Sequence, residues 1–127
     1  MNRFLLRALA LGALVLIAIV PVSPQQGNQT QRFPQFENED VKVWKSTVMP
    51  NNPLAMHRHE HGRVIIALSG GTMKIVEQNG SSETHNRETG KAYWLPANPP
   101  GEMHSDVNAG DKPIEVMVVE LKRDKQR

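Results

Sequence analysis

Three histidines fall at alternate positions, His57, His59 and His61, and His104 follows far downstream beside a loop rich in proline and glycine. On a β-strand, residues two apart project to the same side, with Cβ atoms about 7 Å apart. Imidazoles leaning inward from such positions reach a single ion, since metal–nitrogen bonds are about 2.0–2.2 Å. An isolated H-x-H is also common as an exposed pair, so the pattern gains weight only if a distant residue joins it. A third imidazole from a separate strand would complete a facial set and leave positions open for water or a substrate. His57, His59 and His104 are therefore candidate metal ligands. His61 shares the parity of the pair, but Gly62 marks a turn or bulge just after it.

Arg63 is a permanent cation and cannot ligate a metal. Within about 5 Å of a divalent ion it would repel that ion by several kcal/mol, even at an effective dielectric of about 20. Three arrangements stay open: Arg63 turns away, a carboxylate or bound anion lies between, or the site holds no metal. Its forked donors also suit a carboxylate or phosphate on a substrate. The plainer alternative is an arginine at a rim, paired with Glu60 or Glu102. Glu60, His61 and Glu102 are the nearby candidates for a fourth ligand or a counter-charge to Arg63. Glu60 or a metal-bound water would be the general base, so Glu60 and Arg63 are the catalytic candidates.

The elements that must position these groups read as eight short strands. They are Val41–Val48, Leu54–His61, Arg63–Leu68, Thr72–Gln78, Ser82–Arg87, Lys91–Leu95, Met103–Val107 and Ile114–Leu121. Ile114, Val116 and Val118 alternate with Glu115 and Met117, a period of two. Asn79-Gly80 signals a two-residue hairpin with both central residues at positive φ. Short strands, glycine and proline turns and no amphipathic helix predict an all-β sandwich or barrel. The run Val64 to Leu68 is apolar at every position, and one small barrel buries only one face of a strand. The other face calls for a covering segment or a second subunit, which predicts a homodimer. Trp94 reads as core or cavity wall, and His85, in a polar strand, as exposed.

Arg3 and Arg7 precede the uninterrupted apolar run Ala8 to Val20, which gives way to Pro21 and a polar stretch. Residues 1–23 read as a secretory signal peptide, or as an uncleaved anchor, and either places the domain in the periplasm or outside the cell. Residues 24–38 read as a polar linker that Phe33 and Phe36 could tack onto the domain, 39–122 as the barrel, and 123–127 as a solvated charged tail. Lys+Arg number 15 and Asp+Glu 13 over 127 residues, and the two leader arginines account for the whole surplus of +2. The body is near neutral, which gives no support to a nucleic-acid partner or to membrane binding beyond the leader. The absence of cysteine removes disulfides, thiolate sites, iron–sulfur clusters and cysteine nucleophiles. Phosphate-loop, Ser-His-Asp and paired-carboxylate signatures are absent.

Taken together the spacings resemble a known family. His57, His59, Arg63 and Gly70 fall at the spacing of the first cupin motif, a histidine pair followed by an acidic residue and a glycine. Gly90, Pro96, Gly101, His104 and Asn108 follow the second motif. Val41 to Leu121 thus looks like a small single-domain cupin. The resemblance implies a jelly-roll β-barrel whose cavity holds a divalent metal (iron, manganese, nickel or zinc) on His57, His59 and His104. The chain departs from the pattern at three places. Arg63 occupies the acidic ligand position, Asn51 stands where the first motif opens with glycine, and the stretch from Pro96 to Gly101 is lengthened, so the loop before His104 must bulge.

Three functions compete. A metal-dependent enzyme would use open coordination positions for dioxygen with an oxidisable substrate, as an oxygenase, or for an enolisable carbonyl compound, as an isomerase. A non-catalytic module would bind or sense a small molecule or metal in the same cavity, a use that Arg63 favours. An exported structural domain would carry its histidines without a role.

Overall fold

The computed structural model describes residues 29–123. The expected signal or anchor segment (1–23), the first part of the expected linker (24–28) and most of the tail (124–127) lie outside the described residues. Eight strands follow in order: β1 (Gln31–Glu37), β2 (Val41–Val48), β3 (Arg63–Ser69), β4 (Gly71–Glu77), β5 (Ser82–Arg87), β6 (Ala92–Leu95), β7 (His104–Asn108) and β8 (Ile114–Leu121). They form two antiparallel sheets, one ordered β1-β2-β8-β3-β6 and one ordered β5-β4-β7.

Alternation along each strand decides what lies between the sheets. Trp44, Ser46 and Val48 of β2 face inward, as do Ile114, Val116 and Val118 of β8. With Ile65 and Met73 the apolar members of this set form the core, and Leu54, Ile75, Tyr93 and Leu95 pack against it. Two motif residues prove structural. A Cβ on Gly70 would sit 2.0 Å from the Arg87 carbonyl oxygen, so no other residue fits that crossing. Asn108 donates from Nδ2 to the carbonyls of Val48 and Lys112, at 2.9 and 2.7 Å, and ties the β7–β8 turn to β2.

Three local expectations are corrected. Gln31–Glu37, expected within the linker, is an edge strand paired to β2. Its side chains are almost all exposed, so main-chain pairing holds it and no apolar period marks it. Pro34 is tolerated because an edge strand needs fewer donors, and the register shifts between Pro34 and Phe36. Leu54–His61, expected as a strand, makes one isolated bridge, His57 to His104, because Pro50 and Pro53 interrupt the chain just before it and Asn51 turns at φ 58°. The β4–β5 hairpin forms, but only Gly80 takes a positive φ (87°) and its N–H donates to the Glu77 carbonyl at 2.9 Å. That is the arrangement of a tight turn followed by a glycine bulge, in place of two left-handed residues.

The outer face of the five-stranded sheet is apolar across its width. Strand register aligns Phe36, Val43, Val119, Val64 and Trp94 in one row. The next row is Phe33, Lys45, Met117, Ile66 and Ala92. Trp94, expected in the core or cavity wall, is 53% exposed in the first of these rows.

Candidate metal centre

His57 and His59 sit on the irregular segment that follows the prolines, and His104 opens β7. The segment runs antiparallel to the edge of β7. His57 and His104 exchange main-chain hydrogen bonds at 2.9 and 2.8 Å, and the Leu54 N–H donates to the Asp106 carbonyl at 3.0 Å. The Ser105 hydroxyl donates to the Leu54 carbonyl at 2.6 Å. Convergence of His104 on the His57–His59 pair therefore depends on edge pairing with β7, although the segment that carries the pair is not itself a strand. Ring centroids lie 5.0 Å (His57–His59), 4.5 Å (His57–His104) and 5.6 Å (His59–His104) apart. One ligand atom from each lies within 4.8 Å of the others. Two nitrogens on one ion are at most about 4.2 Å apart, so the set needs to draw in only slightly to share one.

Each ring is held by its other nitrogen. His57 donates from Nδ1 to the Ala55 carbonyl at 2.8 Å, which leaves a lone pair on Nε2. That Nε2 is sealed from solvent without a hydrogen-bond partner. His59 donates from Nδ1 to Oε2 of Glu120 at 2.7 Å and stacks parallel to Trp44 with centroids 6.0 Å apart. A carboxylate behind a ligating imidazole fixes its tautomer and raises its basicity. Asn98 spans the other two segments: its Oδ1 accepts from the His59 main-chain N–H at 2.8 Å, and its Nδ2 lies 3.1 Å from Nδ1 of His104. In this arrangement neutral His104 accepts at Nδ1 and carries its proton on Nε2.

Burial disfavours the charged form of all three rings. It lowers the pKa of His57 and of His59, each against an opposing carboxylate or hydrogen bond. His104 is pushed down to about 4 by burial, although the Asp106 carboxylate works the other way. Glu120 is desolvated too, which raises its pKa, but the hydrogen bond from His59 and the charge of Arg63 outweigh this and leave it below the usual carboxylate value.

Arg63 does not turn away. It is buried on the inward face of β3, directly across from Glu120 on β8, and donates from Nη1 to the Pro96 carbonyl at 3.0 Å. Burial lowers its pKa to about 10, while Asp106 and Glu120 support its charge. Arg63, Arg32 and Arg87 all line one cavity of about 50 Å³ with His59 and Asp106. Arg32 lies over the Trp44 ring and Arg87 over the Tyr93 ring, at 5.5 and 4.7 Å. A groove of about 400 Å³, bordered by Arg32, Trp44, Arg58, His59 and Glu120, adjoins this cavity.

The structure thus brings together His57, His59 and His104 and places Arg63 beside them. His61 is half-buried, Glu60 is exposed, and neither belongs to the three-histidine group. Glu102 is exposed on the loop before β7. The carboxylates at the site are instead Asp106, whose Oδ2 lies 3.5 Å from Nε2 of His57, and Glu120. Asp106 was legible in principle, being two residues after His104 on the same strand face. Glu120 and Asn98 were not, because each is placed by an interstrand register or a loop path.

No family model matches the chain, and no curated protein matches it. Solved structures do. A cupin domain from Bordetella pertussis Tohama I is 26% identical with a TM-score of 0.65, over 74% of this chain and 94% of that one. A conserved protein with a double-stranded β-helix domain from Klebsiella pneumoniae is 25% identical with a TM-score of 0.57, over 79% and 82%. A cupin family protein from Methanocaldococcus jannaschii shares the fold at 16% identity and a TM-score of 0.58, over 76% and 84%.

Proposed function

We propose, taking the cupin jelly roll as the scaffold this chain folds into, that the protein is an exported cupin holding one divalent ion on His57, His59 and His104. A small anionic molecule binds beside the ion. The observation that carries this reading is the convergence of three imidazoles from two chain segments on one buried point, with His57 Nε2 left unpartnered. Iron, manganese, nickel or zinc suits a three-imidazole set, and such an ion supplies Lewis acidity to a bound ligand. Arg63, with Arg32 and Arg87, provides forked donors for a carboxylate or phosphate group, which is the basis for an anionic ligand. Asp106 and Glu120 are better placed than exposed Glu60 to hold a proton near that ligand.

Two readings of the site share this chemistry: an oxygenase or isomerase acting on the anion, and a module that binds it without turnover. The small volume of the inner cavity and the arginine at the acidic ligand position favour binding. The apolar leader supports export, and the apolar outer sheet face supports a homodimer. Elemental analysis of the protein prepared without a histidine tag tests the metal. About one equivalent that His104→Ala loses supports the reading, and a native protein that takes up no divalent ion under any loading condition refutes it.

A further inference from the structure

The motif that Arg63 interrupts would have supplied an acidic group, and Arg32, Arg63 and Arg87 line the cavity that His59 and Asp106 share. We propose that Asp106 is the carboxylate ligand of the ion on His57, His59 and His104, supplied from β7 in place of the residue that Arg63 displaces. The proposal rests on the metal reading above and adds the identity of a fourth ligand.

The geometry at His57 carries it. Because Nδ1 gives its proton to the Ala55 carbonyl, Nε2 presents a lone pair, and the atom it faces at 3.5 Å is an oxygen of Asp106. Nε2 is sealed from solvent without a hydrogen-bond partner, and the atom across from it is a second acceptor. Such a pair is repulsive unless a cation or a proton sits between them. Two bonds of about 2.1 Å meeting at a tetrahedral angle span about 3.4 Å, close to the separation found. The other oxygen of Asp106 lies 4.0 Å from Nε2 of His104; Asp106 stands outside the group whose ligand atoms already lie within 4.8 Å of one another, so it must draw in to share an ion with all three rings.

Placement makes Asp106 a stable partner for the histidines. His104 and Asp106 alternate along β7 and so face the same way, and Asp106 is held opposite Ile75 of β4 while its carbonyl accepts from Leu54. The competing carboxylates are disposed otherwise. Glu120 is committed to the outer nitrogen of His59, and Glu60 and Glu102 are exposed. With Arg32, Arg63 and Arg87 lining the same cavity, Asp106 is, among the described residues, the carboxylate that lines it with them.

Cobalt(II) provides the test, because its visible absorption reports ligand number and type independently of any activity. The full chain without a histidine tag is stripped with chelator and titrated with cobalt, alongside Asp106→Asn and His104→Ala. Wild type is expected to bind one equivalent and His104→Ala to lose it. Asp106→Asn is expected to bind at least tenfold more weakly, with an altered visible spectrum. An Asp106→Asn protein with wild-type affinity and an unchanged spectrum overturns Asp106 as a ligand while leaving the histidine site standing. A wild-type protein that binds no cobalt overturns both. Circular dichroism verifies the β-fold of each variant, and Asp106→Ser replaces the amide variant if the latter does not fold.

Discussion

The depressed pKa of His104 makes the metal-free protein acid-sensitive in a defined window. An unfolded histidine titrates near 6.5 and the folded one at about 4, so between these values the unfolded chain binds a proton that the folded chain refuses. Folding is then progressively penalised as pH falls from 6.5 towards 4. The difference between these two values corresponds to about 3 kcal/mol, most of which is lost between pH 7 and 4.5. His57 and His59 are lowered in the same direction and add to the slope. Depressed carboxylates such as Glu120 contribute mainly below this window, so histidines dominate within it. Urea unfolding of chelator-treated protein, followed by the fluorescence of Trp44 and Trp94 at pH 7, 6, 5 and 4.5, measures the slope. His104→Asn retains an acceptor for the Asn98 amide, and its loss over the same interval should be smaller by about 2–3 kcal/mol. A wild-type stability that is flat from pH 7 to 5, or a variant with the wild-type slope, would refute a buried neutral imidazole at this position.

Three further outcomes follow from the site and the outer sheet face. Asn98→Asp places a carboxylate that accepts from both the His59 main-chain N–H and His104 Nδ1, and should tighten metal binding about tenfold or more, read by competition with a chromophoric chelator. Arg63→Glu removes a cation and restores an acidic group at the motif position; metal affinity should rise, while the metal-free variant should melt at lower temperature because the new carboxylate faces Glu120 across the β3–β8 pairing. If two copies pair through the apolar rows of the five-stranded sheet, Val64→Glu with Trp94→Glu should shift the mass measured by sedimentation from dimer to monomer without altering the β-sheet signal.

The sequence by itself determined much of the strand pattern. The alternation in Val41–Val48 and Ile114–Leu121 reappears as β2 and β8, because a half-buried strand must place its apolar residues two apart. The spacing that brings His57, His59 and His104 together was likewise legible, since residues that meet at one point must sit at fixed distances from the turns that aim them. Tertiary structure decided the rest. Gln31–Glu37 is a strand because β2 offers it an unpaired edge, a property of the partner and not of its own polar residues. The histidine segment is no strand, yet its rings meet His104 because β7 supplies main-chain partners. Arg63 faces inward beside Asp106 and Glu120, carboxylates it meets only through strand register and sheet packing, and such contacts leave no local spacing in the chain to read.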